Sequence, residues 1–156
     1  MKINNNNLLN GQTGLTLIEL IIVMMIIAVL AGSIWGNFFS SLTKGRDSRR
    51  KQDLDAISKS LELYYNDTKA YPLPTLISWG NPFTNPNNSA VIYIQKVPND
   101  PTYPDFSYCY ISDGSSYKLY ANLENTNDPK IIPTVTCAPN PGVNYNYGIS
   151  SQNTTP

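Results

Sequence analysis

From Leu15 to Phe39 only Thr16, Glu19, Ser33 and Asn37 carry polar side chains, and from Leu20 to Trp35 nothing is more polar than Ser33. A segment of this kind has few places to go. About 20 apolar residues in a helix match the roughly 30 Å hydrocarbon core of a bilayer, and no proline interrupts this run. Gly32 and Gly36 fall on one helical face. They weaken a helix but let a second backbone come close; the pair is equally compatible with the ordinary tolerance of membrane segments for glycine.

Composition removes most chemistries. Eleven Lys and Arg balance eleven Asp and Glu, so no surplus of positive charge exists to bind nucleic acid. The chain has no His, which excludes Ser–His and Cys–His catalysis and any metal site built on imidazole. Two cysteines cannot build a four-thiolate zinc site. No enzyme is expected.

Beyond the apolar run, Leu54, Ile57, Leu61 and Tyr64/Tyr65 recur at spacings of three and four, with charged and polar residues between them. This predicts an amphipathic helix over 40–66 with one apolar stripe. Leu63 falls nearly opposite, where it either wastes apolar area or meets another chain. Asn66, Asp67 and the Tyr71–Pro72 step end the helix. Joined to the apolar run, 15–66 would be a single helix about 75–80 Å long.

From residue 67 to 137 the spacing changes to short segments broken by Pro and Gly. Val91–Gln95 reads as a strand. Phe106–Ile111 and Ser116–Leu123 flank Ser112–Ser115, a hairpin signal, and Tyr117, Leu119, Ala121 and Leu123 alternate as one buried face. The fold class is therefore α+β: a long N-terminal helix with a protruding apolar half, and an amphipathic half packed on a small antiparallel sheet. Residues 138–156, rich in Asn, Ser, Thr and Pro, are expected to form a poorly ordered tail.

Three readings compete for the N-terminus. A secretory signal with Lys2 and a cleavage site at Val29-Leu30-Ala31 would release a secreted binding domain beginning near Gly32. A plain anchor would leave a surface protein that never polymerises. The third reading turns on Glu19, a carboxylate inside the apolar run, which is costly unless paired and usually functional. Neither a signal peptide nor an anchor gains anything from it.

GQTGLTLIELIIVMMIIAVLAG, residues 11–32, resembles the class III signal of type IV pilins and type II secretion pseudopilins. The resemblance implies that 1–14 is a leader, that a prepilin peptidase cuts between Gly14 and Leu15, and that Leu15 becomes the N-methylated residue. Leu15 stands where most of the family has Phe. It also implies that Glu19 pairs with the new amine of a neighbouring subunit and sets register as copies join. The implied architecture is type IV pilin-like, with 15–39 as the membrane and filament-core helix. Its partners would be copies of itself, minor pilins or pseudopilins, the peptidase, and an inner-membrane platform with its ATPase. The protein would cross the cytoplasmic membrane once before assembly, and afterwards lie in a surface filament or a periplasmic pseudopilus.

More weakly, LELYYNDTKAYP, VIYIQKVPNDP and FSYCYISDGSSYKLYANLEN resemble the major pseudopilins. In an exported protein, Cys109 and Cys137 are most simply a disulfide, the alternative being two buried thiols. Major pseudopilins carry a calcium site in this region, which makes Glu124, Asn127 and Asp128 weak candidate ligands; an Asn/Asp-rich turn explains them as well, and no cofactor is expected. Lys44, Arg46, Arg49, Arg50 and Lys51 follow the apolar run whereas Lys2 alone precedes it. The positive-inside rule would place the later side in the cytoplasm, against the family's topology. With the head outside, this cluster reads as a solvated face or an inter-subunit contact.

Overall fold

The computed structural model describes residues 14–137 and 140–156; the side chains of residues 33–37, 140 and 141 lie outside the description, as does the leader through Thr13. Helix α1 spans Leu17–Thr68, 52 residues without a break. It begins at Thr16, whose Oγ1 accepts the Glu19 N–H at 3.3 Å, as an N-cap does. It ends where Lys69 takes a left-handed φ of 62° and donates its N–H to the Tyr65 carbonyl at 2.7 Å. The chain divides into two compact units, the first ending at Ser40 and the second comprising Ser41–Pro156.

In the first unit every residue from Gly14 to Gly32 is exposed, including thirteen bulky apolar side chains such as Leu15, Ile18 and Met25. Among the described residues no helix is long and apolar enough to cross a membrane. Gly32 has open space around it. Gly36 belongs to α1, but its surroundings lie outside the description.

The second unit adds seven strands. β1 (Phe83–Asn85) and β2 (Asn88–Ile94) form one two-stranded sheet. β3 (Cys109–Ser112), β4 (Tyr117–Ala121) and β7 (Tyr147–Ser150) form a three-stranded sheet with β4 in the middle. β5 (Val135–Cys137) and β6 (Asn140–Tyr145) form a third pair. All pairings are antiparallel. The predicted hairpin has Ser112 opposite Tyr117, with Gly114 at a φ of 85° in its turn, a conformation that costs glycine little. Asp113 Oδ1 accepts the N–H groups of Ser115 and Ser116 and so closes the turn.

The helix stripe Leu54, Ile57, Leu61 and Tyr64 is buried in one cluster with Tyr117, Leu119, Ala121 and Leu123 of the sheet. Leu63 is exposed, as its phase required. Each fully buried Leu or Ile contributes about 1.5–3 kcal/mol, so this contact is the main apolar link between helix and sheet.

The poorly ordered tail is a correction. Polar composition hid an alternation of Tyr145, Tyr147 and Ile149, the first two of which are buried and the third packed against the core. The polar residues between them complete backbone pairing. Asn146 receives the Leu123 N–H at 2.7 Å and donates to the Leu123 carbonyl at 2.9 Å, and Ser151 donates its N–H to the Tyr117 carbonyl. Asn and Ser here act as bridges to β4.

Gly148 lies opposite Tyr120 in the β4–β7 register, and a Cβ at Gly148 would come within 2.6 Å of the Tyr120 ring. The absence of a side chain makes room for that ring. Gly148→Ala is expected to destabilise the head by about 1–3 kcal/mol, as overpacking does, read as a lower urea midpoint with an unchanged slope.

Candidate functional site

Continuing the buried helix stripe backwards at the same spacing gives Arg50 and then Asp47. Both are buried, Arg50 with 1% and Asp47 with 2% of its surface exposed. A bare guanidinium in such a place would cost several kcal/mol, so its partners decide whether the fold holds. Arg50 Nε and Nη2 donate to the two Asp100 oxygens at 2.8 and 3.1 Å. Nη1 donates to Asp47 Oδ1 at 2.8 Å and to Glu124 Oε1 at 2.7 Å. Nη2 also donates to Thr102 Oγ1 at 3.2 Å.

These partners come from three stretches of chain: α1, the Pro98–Thr102 loop, and the loop after β4. Two of the three carboxylates are held in turn by backbone. Asp47 accepts the Glu124 and Asn125 N–H groups at 3.0 and 2.8 Å, and Asp100 accepts the Thr102 N–H at 2.9 Å. Arg46 makes a two-pronged pair with Glu124, the fork geometry in which arginine is strongest. Lys51 pairs with Asp128 at 2.5 Å. Arg49 pairs with Asp53 at 3.0 Å, whose other oxygen accepts the buried Tyr108 hydroxyl at 2.8 Å.

The basic cluster is thus neither simply a solvated face nor a contact left for another subunit. Arg46, Arg50 and Lys51 pair with carboxylates of the head's loops, whereas Arg49 pairs with Asp53 on its own helix and, like Lys44, is exposed. Sequence reading missed this site, although the signal was present: Asp47 and Arg50 sit on the 47–50–54–57–61–64 stripe. The expected apolar stripe begins with an ion pair.

Electrostatics follow the geometry. Burial pulls the Arg50 pKa down, but hydrogen bonds to Asp100 and Glu124 more than offset this and raise it. Burial likewise pushes Asp100 up, while Arg50 and Thr102 hold it below its ordinary value. Arg46 first, with Arg50, holds the Glu124 carboxyl down at about 2. Lys51 lowers Asp128.

Cys109 and Cys137 form a disulfide, Cα atoms 6.4 Å apart, buried with Tyr120 and Tyr145 in a second cluster. It joins β3 to β5 across 28 residues and contributes roughly 3–4 kcal/mol in the chain-entropy account. Of the weak calcium candidates, Glu124 and Asp128 face cations, and the Asn127 N–H donates to Asn125 Oδ1 at 3.3 Å. Among the described residues no group of three or more His, Cys, Asp or Glu is placed to hold a metal ion. At the other end of the chain, Gly14, Leu15 and Glu19 are exposed, and among the described residues the Glu19 carboxylate has no partner.

A single 52-residue helix, exposed and apolar at its start and buried against a small antiparallel sheet in its second half, is the architecture of a pilin-like protein. The model of the prokaryotic N-terminal methylation motif matches residues 9–35, and that of type II secretion system protein G matches residues 37–127. The chain belongs to the type II secretion system protein G family. It is 29% identical to the type II secretion system core protein G of Vibrio cholerae serotype O1, over 70% of this chain and 78% of that one. With the core protein G of Pseudomonas aeruginosa the identity is 30%, over 70% and 82%, and with that of Escherichia coli K12 it is 28%, over 69% and 79%. No solved structure matches the chain.

Two outcomes are expected of the ion network. Carboxyls whose folded pKa lies below the unfolded value of about 4 add stability that is complete above that value and is lost as pH falls toward the folded pKa. The melting midpoint of the head is therefore expected to be flat between about pH 7 and 5 and to fall between about pH 4 and 2. Arg50→Ala, which leaves three carboxylates facing one another, is expected to cost about 3–5 kcal/mol in chemical denaturation.

Proposed function

We propose that this chain is a structural subunit of a type II secretion pseudopilus, made as a prepilin and polymerised after processing. The observation that carries the reading is the succession within one chain of an N-methylation motif over 9–35 and a protein G head over 37–127. Cleavage falls between Gly14 and Leu15, and Leu15 takes the methyl group. The apolar helix then holds the subunit in the inner membrane, passing it once, with the head on the periplasmic side.

The exposed apolar surface from Leu15 to Leu30 supports this cycle. Lipid covers it before assembly, and the helices of other copies cover it in the filament. Glu19 supplies direction. Cleavage places a positive amine in the same apolar phase, where either charge alone is costly. A neighbour's amine set against Glu19 removes both costs at one stagger between copies. Gly32 and Gly36 allow close approach of helices there. Minor pseudopilins, the prepilin peptidase, and the platform with its ATPase complete the set of partners. The role is structural and not enzymatic.

Intact mass and N-terminal sequencing of the protein from cells test the processing: a chain beginning at methylated Leu15 is expected. A start near Gly32 would make the protein an ordinary secreted domain. Glu19→Ala is expected to leave the melting midpoint of the head unchanged while abolishing filaments seen by electron microscopy on overexpression. Normal filaments from that variant would refute the pairing.

A further inference from the structure

We propose that Arg50 stands where a divalent cation would otherwise be needed to gather the loops of the head, so that this chain closes its C-terminal region without calcium. The resemblance to major pseudopilins implies a calcium site after β4, and the residues present there do not fit one. Calcium takes six to eight oxygens at 2.3–2.6 Å. Both Glu124 oxygens are engaged by Arg46 and Arg50. Asp128 gives one oxygen to Lys51 and the other to the Lys130 N–H, and Asn125 Oδ1 turns to the Asn127 N–H. An arriving dication would meet the positive charges of Arg46, Arg50 and Lys51 before it met a free carboxylate.

The same joining is achieved by other means. Asp47, Asp100 and Glu124 converge on Arg50 from three stretches of chain with four oxygens, and Thr102 Oγ1 is a fifth. These oxygens gather around one positive charge, and here that charge is a guanidinium. Its fixed fork of donors supplies the charge and specifies the direction of each partner. The Glu124 and Asn125 N–H groups bonded to Asp47 then fix the loop against α1, next to the chain that runs on to Cys137.

The test is the melting of the full-length chain in detergent micelles, in EGTA and in millimolar calcium chloride. Melting reports on the head alone, so a chain that never assembled would give the same answer, and this inference stands apart from the assembly reading. Calcium in large excess over a site in the head would raise the midpoint by about 10 °C; the wild type is expected to show no shift. Arg50→Lys, which keeps one cation among these oxygens, is expected to melt lower and also ignore calcium. Arg50→Ala is expected to melt lowest in EGTA and to be raised by calcium, because Asp47 and Asp100 then lose their cation while Glu124 stays paired with Arg46. A calcium-dependent midpoint in the wild type or in Arg50→Lys overturns the proposal, as does a folded Arg50→Ala that calcium leaves unchanged. Should Arg50→Ala not fold in either buffer, the wild type and Arg50→Lys decide.

Discussion

A guanidinium with 1% of its surface exposed sets the terms for the rest of the head. Arg50 leaves water only because Asp47, Asp100 and Glu124 are brought to it, and each of those is brought by a different part of the backbone. Buried ion pairs are weak sources of net stability, since desolvation consumes most of the Coulombic gain. Their effect lies in selection: an arrangement lacking any one partner leaves a buried charge uncompensated, and such arrangements are heavily penalised. The apolar stripe from Leu54 to Tyr64 holds helix and sheet together, while the charged residues ahead of it determine where the loops are placed.

The two ends of α1 treat charge in opposite ways. Arg50 finds all its partners within its own head. Glu19 sits among exposed apolar residues, and among the described residues nothing answers its carboxylate. One charge is settled by folding within the head, and the other is not. Internal pairing occupies most of the basic cluster beyond the apolar run: Arg46, Arg49, Arg50 and Lys51 each face a carboxylate.

Much of this was legible because it is periodic. The 3–4 spacing of Leu54, Ile57, Leu61 and Tyr64 and the alternation of Tyr117, Leu119, Ala121 and Leu123 each name a buried face, and the structure packs those faces together. The Asp113–Gly114 turn was equally plain, for local geometry alone fixes it. The ion site was not read, because a charged residue on a buried stripe looks like the stripe's end until its partners, some fifty and seventy-four residues away, are known. The tail was misjudged for a related reason. Composition counts Asn and Ser as polar, whereas Asn146 and Ser151 are used as backbone-like bridges to β4, and only register reveals such a use.

Register has one more consequence. β4 is covered on one side by β3, whose partners lie five to eleven residues away along the hairpin, and on the other by β7, whose partners lie 26 to 32 residues further on. A copy cut short before Tyr147 would keep its hairpin, its helix contact and its disulfide partners, yet present Lys118–Ala121 as a bare edge, open to pairing with any other strand. β7 therefore makes β4 the interior strand of its sheet and passes the edge to its own four residues, Tyr147–Ser150.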